Sequence, residues 1–305
     1  MMDRYAVFGN PIAHSKSPKI HSLFAKQTAQ NLSYEAILAA TEAGEFEKAV
    51  LAFQAAGGKG LNVTVPFKQA AWALAKQRTP RAERSGAVNT LWFNPDGTCC
   101  GDNTDGVGLV RDLLKNHKVV LENQRVLILG AGGAVRGILE PILAERPSAC
   151  VIANRTLSKA QDLVKLFPER RLHACEYAVL AGQNFDVVIN GTSASLQGDV
   201  PPLPENLFSL SSWAYDLMYA ATATPFMSWA QTAGAGEVRD GLGMLVEQAA
   251  EAFQLWRGVR PETSTVIAQL RAELHGKAEI EIGGRDGLEP TRFGDWEKSG
   301  RCIDF

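Results

Sequence analysis

Strand-like and helix-like patterns alternate along the first hundred residues of the chain. Short apolar runs predict buried strands at residues 5–9, 33–38, 61–65 and 87–93. A helix is predicted to start at Ser17-Pro18, where a possible N-cap precedes a proline, and another is predicted over residues 42–56. This alternation favours an α/β unit with parallel strand pairing.

A second unit with the same alternation begins at Gln124. Its predicted strands are residues 125–129, 149–153, 185–189 and 213–217. A glycine-rich run at residues 130–134 follows the first of these strands and opens a helix. The pattern predicts a doubly wound sheet. Farther along, apolar residues at helical spacing predict a helix over residues 242–256.

The periodicity ends at Gly276. Residues 276–305 contain six glycines, five basic residues and seven acidic residues, and they follow neither a helical nor a strand period. Such a segment buries too little apolar surface to offset the loss of chain entropy. We therefore expect an extended tail, either mobile or laid on the body as a strand.

Composition narrows the class of protein. With 305 residues, 46% hydrophobic positions, and 31 Lys and Arg against 33 Asp and Glu, the chain is a globular protein of about two domains and not a nucleic-acid-coating polymer. No apolar stretch approaches signal-peptide or membrane-span length, so a cytoplasmic protein is expected. The five cysteines form no CxxC pair, and no metal site is predicted.

The glycine-rich run favours a dinucleotide cofactor. Between a buried strand and a helix, residues without Cβ atoms let the backbone approach a pyrophosphate at the positive end of the helix. The run consists of Gly130, Ala131, Gly132, Gly133 and Ala134. An ordinary tight connection is the alternative.

The next predicted strand indicates which dinucleotide binds. NAD-binding folds usually place a carboxylate about 20 residues after the glycines, where it binds the ribose 2′-hydroxyl. Here the strand ends in Asn154, Arg155 and Thr156, with Lys159 following. A guanidinium favours the 2′-phosphate of NADP. The alternative is a helix cap by Thr156 with solvated basic neighbours.

Polar residues also cluster in the first unit. Thr64 and its strand neighbour Asn62 share one strand face, and Lys68 follows at the strand-to-helix junction, where it is a candidate proton donor. A solvated surface lysine is the alternative. The run GDNTDG supplies Asp102 and Asp105, which otherwise serve as caps of a turn.

Two serines near the amino terminus favour an anion site. Ser15, Lys16 and Ser17 place two hydroxyls and an ammonium at the start of a predicted helix, an arrangement suited to a carboxylate. The competing interpretation is that Ser17 is only a helix N-cap.

Taken together, these motifs resemble those of the shikimate dehydrogenase family over residues 3–273. The segments occur in family order: FGNPIAHSKSP, NVTVPFK, GAVNT, DNTDG, GAGGA, NRT, YDLMY and DGLGMLVEQAAEAFQLW. The resemblance implies an NADP-dependent oxidoreductase that reduces 3-dehydroshikimate to shikimate in chorismate and aromatic amino-acid biosynthesis. It also implies a substrate domain (residues 1–105 and 240–275) interrupted by a Rossmann-type NADP domain (residues 106–239).

The resemblance assigns roles to individual positions. It implies that Lys68 and Asp105 are the catalytic pair. The implied substrate ligands are Ser15, Ser17 and Tyr219 for the carboxylate, and Thr64, Asn89 and Gln248 for the ring. The implied cofactor ligands are Gly130, Ala131, Gly132, Gly133, Ala134, Asn154, Arg155, Thr156, Lys159, Leu217 and Gly241.

Two alternatives remain open at this stage. One is a broader quinate/shikimate dehydrogenase, against which the basic residues that favour NADP argue. The other is a non-catalytic NADP-binding sensor, which would need no proton donor beside the nicotinamide. The tail is a departure from the family, because it resembles the carboxyl-terminal motif of succinate dehydrogenase assembly factors. That resemblance implies the flavoprotein subunit as a partner; a homodimer is also expected.

Overall fold

The computed structural model describes residues 2–167, 169–192, 194, 198–278 and 301–302. It contains two six-stranded sheets and one two-stranded pairing. The strands are β1 (Asp3–Gly9), β2 (Leu32–Leu38), β3 (Gly58–Val63), β4 (Gln77–Arg78), β5 (Thr90–Phe93), β6 (Cys99–Asp102), β7 (Arg125–Leu129), β8 (Ala149–Ala153), β9 (Leu172–Cys175), β10 (Val187–Asn190), β11 (Trp213–Asp216), β12 (Tyr219–Ala220), β13 (Glu237–Asp240) and β14 (Arg301–Cys302).

Helices separate most of the strands. They are α1 (Ser17–Gln27), α2 (Glu45–Ala55), α3 (Lys68–Leu74), α4 (Pro80–Ser85), α5 (Asp105–Arg111), α6 (Gly133–Ala144), α7 (Leu157–Leu166), α8 (Pro225–Thr232), α9 (Leu242–Arg257) and α10 (Ser264–Ala278). A π-helical turn, Asp112–Asn116, continues α5. Every strand predicted from the sequence is present, with ends displaced by at most three residues.

The first sheet has the strand order β2-β1-β3-β5-β6-β4 and is mixed. Its first three strands are parallel as predicted, but β5 runs antiparallel to both β3 and β6, so purely parallel pairing was wrong here. The tight turn at residues 94–97 explains the β5–β6 pair: the Asn94 amide donates to the Thr98 carbonyl, and Gly97 adopts a φ of 85°. A turn this short can join only antiparallel strands.

The second sheet, β13-β11-β10-β7-β8-β9, is parallel throughout, which confirms the doubly wound prediction. The central strand β7 is buried on both faces. Val126 and Ile128 belong to one apolar cluster, and Leu127 and Leu129 belong to the cluster on the opposite face. Because side chains alternate along a strand, helices must cover both faces of this sheet.

Two helices carry the chain between the sheets. The chain leaves the first sheet through α5 and returns through α9. The helices pack closely because Gly108 has no side chain, and a Cβ there would lie 2.6 Å from the Gln248 backbone nitrogen. At the far end of α9, the Trp256 indole stacks on Tyr5 at 4.7 Å and donates to the Leu91 carbonyl. The end of α9 is thereby fixed on the first sheet.

The carboxyl-terminal region differs in part from the expectation. Helix α10 continues to Ala278, three residues into the range assigned to the tail. Most of the predicted tail lies outside the described residues, but Arg301–Cys302 forms β14 and pairs antiparallel with β12. In the described part of the chain, no helix is long and apolar enough to cross a membrane. The same residues contain no cluster of side chains suited to hold a metal ion.

His21 is an aromatic core residue between the first sheet and α9. Its ring lies parallel to that of Tyr34 at 4.2 Å and is flanked by Phe253 and Trp256. Burial lowers the pKa of His21 from 6.5 to about 3, with the Asn62 side chain opposing this change. The folded protein therefore holds His21 neutral at pH values where the unfolded chain protonates it.

Because of this histidine, we expect the free energy of unfolding to decrease as the pH is lowered. Below about pH 6.5 the unfolded state binds the extra proton, so the free energy of unfolding loses up to about 1.4 kcal/mol per pH unit because of His21. We expect His21→Phe to flatten the dependence between pH 6 and pH 4 in urea titrations. The matched change at an exposed histidine, His173→Phe, should leave the slope as it is. Parallel curves for wild type and His21→Phe would contradict this account.

Candidate active site and cofactor cleft

Four strand ends meet at one edge of the first sheet. The carboxyl ends of β1, β3 and β6 lie at this edge, and the reversed direction of β5 brings its amino end there too. Asn62 is opposite Thr90, and Thr90 is opposite Asp102. The loops that follow or precede these positions therefore deliver Lys68, Asn89 and Asp105 to the same place.

Lys68 and Asp105 form a buried ion pair. The Nζ of Lys68 lies 2.7 Å from Oδ2 of Asp105, and the two side chains are 10% and 4% exposed. Each residue is the first of its helix, α3 or α5. An ammonium has three N–H donors, so two remain to contact a ligand once Asp105 is bound.

Asn89 fixes the orientation of the aspartate. Its Nδ2 lies 2.7 Å from Oδ1 of Asp105, 3.0 Å from Oγ1 of Thr104 and 3.2 Å from Oε1 of Gln248. Its Oδ1 accepts from the Thr104 backbone N–H at 2.8 Å. The predicted ring ligands Asn89 and Gln248 thus form one buried network with Asp105, although their sequence positions are 159 residues apart.

Thr64 directly follows β3, close in sequence to Lys68, and its hydroxyl is unused. Its Oγ1 is buried and has no hydrogen-bond partner among the described residues. A buried hydroxyl without a partner is destabilising by about 1–3 kcal/mol. A hydroxyl-rich ligand would supply the missing bond.

The two serines lie at the entrance to α1. Ser17 is buried, and its backbone N–H donates to Oγ of Ser15 at 3.2 Å. The helix begins at Ser17 itself, and Lys16 occupies the capping position without a side-chain cap bond. The interpretation of Ser17 as a plain N-cap was therefore wrong.

Tyr219 approaches from the other sheet and is fully buried on β12, in the apolar cluster that includes Ile20 and Leu242. Its backbone pairs with Cys302 of β14. Contact of its hydroxyl with a substrate carboxylate stays a prediction.

The sequence did not indicate which residues hold Asp102 in place. Asp102 is completely buried and pairs with the guanidinium of Arg81, with Nε 2.8 Å from Oδ1. The same carboxylate accepts from the Thr79 hydroxyl and the Asn103 backbone N–H. Arg81 also contacts Glu251 of α9 at 3.2 Å. Asp102 therefore ends β6 as a buried partner of Arg81 and does not cap a turn, and no local sequence pattern pointed to Arg81.

A cleft of about 840 Å³ lies beside this network, on the carboxyl side of the second sheet. Lys68 lines it from the first sheet, and the loop after β7 lines it from the second. Gly130 has a φ of 101°, which favours glycine. A Cβ at Gly132 or Gly133 would meet nothing within 4 Å, so both backbones are open to a ligand.

Most predicted cofactor ligands line this cleft. They are Gly130, Ala131, Gly132, Gly133, Ala134, Asn154, Arg155 and Leu217. Three others do not line it. Lys159 and Thr156 are exposed on or just before α7, and Gly241 stands at the start of α9. Their roles as ligands stay predictions.

Arg155 is placed for an anionic ligand. It follows β8 in an exposed position and lines the cleft. Nearby Lys165 and Arg171 pair with Asp162 and Glu169, whereas Arg155 has no carboxylate partner in the described part of the chain. The capping alternative is not supported, because Thr156 occupies the N-cap position of α7 without a side-chain cap bond.

Known proteins match this chain along most of its length. Family models described as the shikimate dehydrogenase substrate binding domain, shikimate / quinate 5-dehydrogenase and the shikimate 5′-dehydrogenase C-terminal domain match residues 7–91, 112–197 and 241–271. The shikimate dehydrogenase (NADP(+)) of Alkalilimnicola ehrlichii is 58% identical over 274 residues, which are 90% of this chain and 100% of that protein. The chain belongs to the shikimate dehydrogenase family.

Solved structures agree with this membership. The shikimate 5-dehydrogenase of Thermus thermophilus, solved in complex with NADP(H) and shikimate, is 33% identical, covers 90% of this chain and 100% of its own, and has a TM-score of 0.79. An Ael1 enzyme from Pseudomonas putida is 51% identical, covers 88% of this chain and 98% of its own, and has a TM-score of 0.84. A fourth family model, a protein of unknown function (DUF1674), matches residues 268–305.

Removal of the lysine tests the catalytic pair. We expect Lys68→Ala to lower kcat by roughly 10² to 10⁴ while substrate still binds, because a donor used in the transition state is lost. Initial rates of NADP reduction with shikimate measure the effect. The exposed Lys76→Ala is the control and should retain normal rates. A raised KM with normal kcat would assign Lys68 to binding instead.

Removal of the guanidinium tests the choice of cofactor. We expect Arg155→Ala to weaken NADP by about 1.5 to 3 kcal/mol, roughly ten- to a hundredfold, and to change NAD far less, since only NADP carries the 2′-phosphate. Binding titrations with both cofactors measure this, with the exposed Arg170→Ala as the control. Equal losses for NADP and NAD would contradict the assignment.

Proposed function

We propose that this chain catalyses the reversible NADP-dependent reduction of 3-dehydroshikimate to shikimate, a step of chorismate and aromatic amino-acid biosynthesis. The observation that carries the proposal is the buried Lys68–Asp105 pair at the wall of a glycine-lined cleft that ends at Arg155. Curated relatives with more than half of their residues identical, such as the enzyme of Aromatoleum aromaticum at 56%, are NADP-dependent shikimate dehydrogenases.

The residues of the cleft suit NADP. The open backbones of Gly132 and Gly133 leave room for a pyrophosphate, and no carboxylate follows β8 to repel a 2′-phosphate. The chemistry available when NADP is bound is hydride transfer at the carbon that bears the reacting oxygen.

In the proposed reaction, Lys68 holds and moves the proton. Its free N–H groups hydrogen-bond the substrate carbonyl oxygen, and one proton passes to that oxygen as negative charge develops. Asp105 holds the ammonium in position, and Asn89 prevents the carboxylate from turning away. In the direction of oxidation, Lys68 accepts the proton of the substrate hydroxyl as the hydride leaves the carbon that bears it.

The proposed substrate ligands divide by the group they contact. Ser15, Ser17 and Tyr219 hold the carboxylate, and Thr64, Asn89 and Gln248 hold the ring oxygens. The unpartnered hydroxyl of Thr64 and the two serines at the start of α1 support this division. Asp105 contacts a ring hydroxyl through the carboxylate that orients Lys68.

The proposed domains follow the two sheets. Residues 1–105 and 240–275 form the substrate domain, to which α9 contributes Gln248, and residues 106–239 form the NADP domain. Closure between them would exclude water from the reaction. A homodimer in the cytoplasm remains part of the proposal.

A rival substrate has a specific reason to be tested. One of the matching family models covers both shikimate and quinate dehydrogenases. A 5-ketofructose reductase from Gluconobacter, 26% identical with a TM-score of 0.78, also has this fold, so the fold alone does not select the substrate. The proposed carboxylate ligands favour a carboxylated ring over 5-ketofructose, and the choice between shikimate and quinate is left to the kinetic test.

Steady-state kinetics test the proposed activity. We expect reduction of NADP with shikimate at mildly alkaline pH, with a kcat/KM at least tenfold above that for quinate or for NAD as the cofactor. The double control is the Lys68→Ala variant and an assay without shikimate. Absence of shikimate oxidation with excess NADP would overturn the enzyme proposal and favour a binding protein.

We further propose that the tail binds the flavoprotein subunit of succinate dehydrogenase. Its spaced aromatic residues, Phe293, Trp296 and Phe305, suit a segment that folds on a partner. A vestigial tail without a partner is the alternative.

Deletion of the tail tests whether it serves enzyme activity or binding of a partner. We expect deletion of residues 276–305 to leave shikimate oxidation unchanged and to abolish retention of the flavoprotein subunit in a pull-down. Trp296→Ala should weaken retention without a change in the rate of shikimate oxidation. Failure of the intact tail to retain the subunit would leave the vestigial interpretation.

A further inference from the structure

A second cleft, of about 720 Å³, lies away from the Lys68–Asp105 pair. It is enclosed by the π-helical turn after α5, the loop at residues 220–223 after β12, and one face of α10. Ala221, Ala223, Met227, Ile267 and Ala268 give it an apolar floor. The proposed reaction uses none of these five side chains.

One exposed lysine at the rim is available to an anionic ligand. The cationic side chains that line the cleft are Lys115, Arg239 and Arg271. Arg239 pairs with Glu237 at 2.8 Å and Arg271 pairs with Asp240 at 2.7 Å, whereas Lys115 has no ion pair among the described residues. Lys115 is therefore the cation that a ligand in the cleft can reach.

Both flanks of the carboxyl-terminal segment, residues 279–305, reach this cleft. Helix α10 lines it as far as His275 and ends at Ala278. At the other flank, β14 pairs with β12, with Arg301 opposite Ala220, which itself lines the cleft. Because the pair is antiparallel, the chain that leads to Arg301 approaches from the side of residues 221–223.

We propose that the second cleft binds this chain's own carboxyl-terminal segment, residues 279–305. The segment has seven acidic and four basic residues, so its net charge is opposite to that of Lys115 at the rim. Phe293 and Trp296 supply anchors for the apolar floor. At up to about 3.5 Å per residue, the residues between Ala278 and Arg301 are long enough to enter the cleft and return to β12.

A segment docked in this position is held against the enzyme of which it is part. A segment that occupies the second cleft buries its aromatic anchors there, so it must leave before it can bind another protein through them. This inference concerns residues far from the catalytic pair. It stands or falls independently of the proposed activity.

Two matched substitutions on α10 test whether residues 279–305 bind in the second cleft. Ala268 and Ala272 are exposed one turn apart on the same helix, but only Ala268 lines the cleft. A glutamate at Ala268 adds bulk and a charge that repels the acidic segment, whereas Glu at 272 is a helix-compatible change outside the cleft.

The first measurement uses a fluorescein-labelled peptide of residues 279–305 and the chain truncated after Ala278. Relatives that match 90% of this chain over their entire length indicate that the truncated body folds, and its shikimate oxidation checks this. We expect saturable binding that weakens at least tenfold with Ala268→Glu, less than twofold with Ala272→Glu, and also weakens at high salt. Absence of binding, or equal loss in the two variants, would overturn the proposal.

The second measurement uses the full chain. We expect slower amide hydrogen exchange at residues 219–223 than in the truncated chain, with the difference removed by Ala268→Glu and retained by Ala272→Glu. Protection that rises with protein concentration would mean that a second copy occupies the cleft, which contradicts docking within one chain. Protection that is the same with and without the segment also contradicts it.

Discussion

A lysine ammonium and an aspartate carboxylate, both withdrawn from water, impose the constraint on which the rest of the site depends. Burial of two charges is tolerated only when their geometry is good and their remaining hydrogen-bonding capacity is met. Here Asn89 donates to the aspartate and is itself held by the backbone N–H of Thr104, and the lysine keeps free donors toward the cleft. The lysine donors that have no partner raise the free-energy cost of burying the pair. A carbonyl oxygen of a ligand would accept hydrogen bonds from these same donors.

The mixed sheet makes this arrangement possible. If β5 ran parallel to β3, Asn89 would lie at the opposite edge of the sheet from Lys68. The hairpin at residues 94–97 reverses the chain, and β6 then returns it to the edge where Asp105 begins α5. The local turn therefore brings Asp105 back to the edge of the sheet where Lys68 and Asn89 already lie.

Much of this organisation could be predicted from the sequence, and the omissions have physical causes. Strands such as β7 and β8, apolar at every position except Arg125, were predicted to the residue. By contrast, β6 contains two cysteines, a glycine and an aspartate, so its pattern resembles a turn. The support from Arg81 was invisible because an ion pair across 21 positions leaves no local period. Substrate and cofactor motifs were found because each is continuous in the sequence.

The close contact between α5 and α9 has a consequence for motion. These helices are the two chain crossings between the sheets, and a Cβ at Gly108 would lie 2.6 Å from the backbone nitrogen of Gln248. So close a contact opposes sliding, and a change in the width of the cleft would then be a rotation about the line of this helix pair. Asp105 begins one of these helices, and Lys68 is held against it from the first sheet. Such a rotation would leave the 2.7 Å contact between Lys68 and Asp105 unchanged.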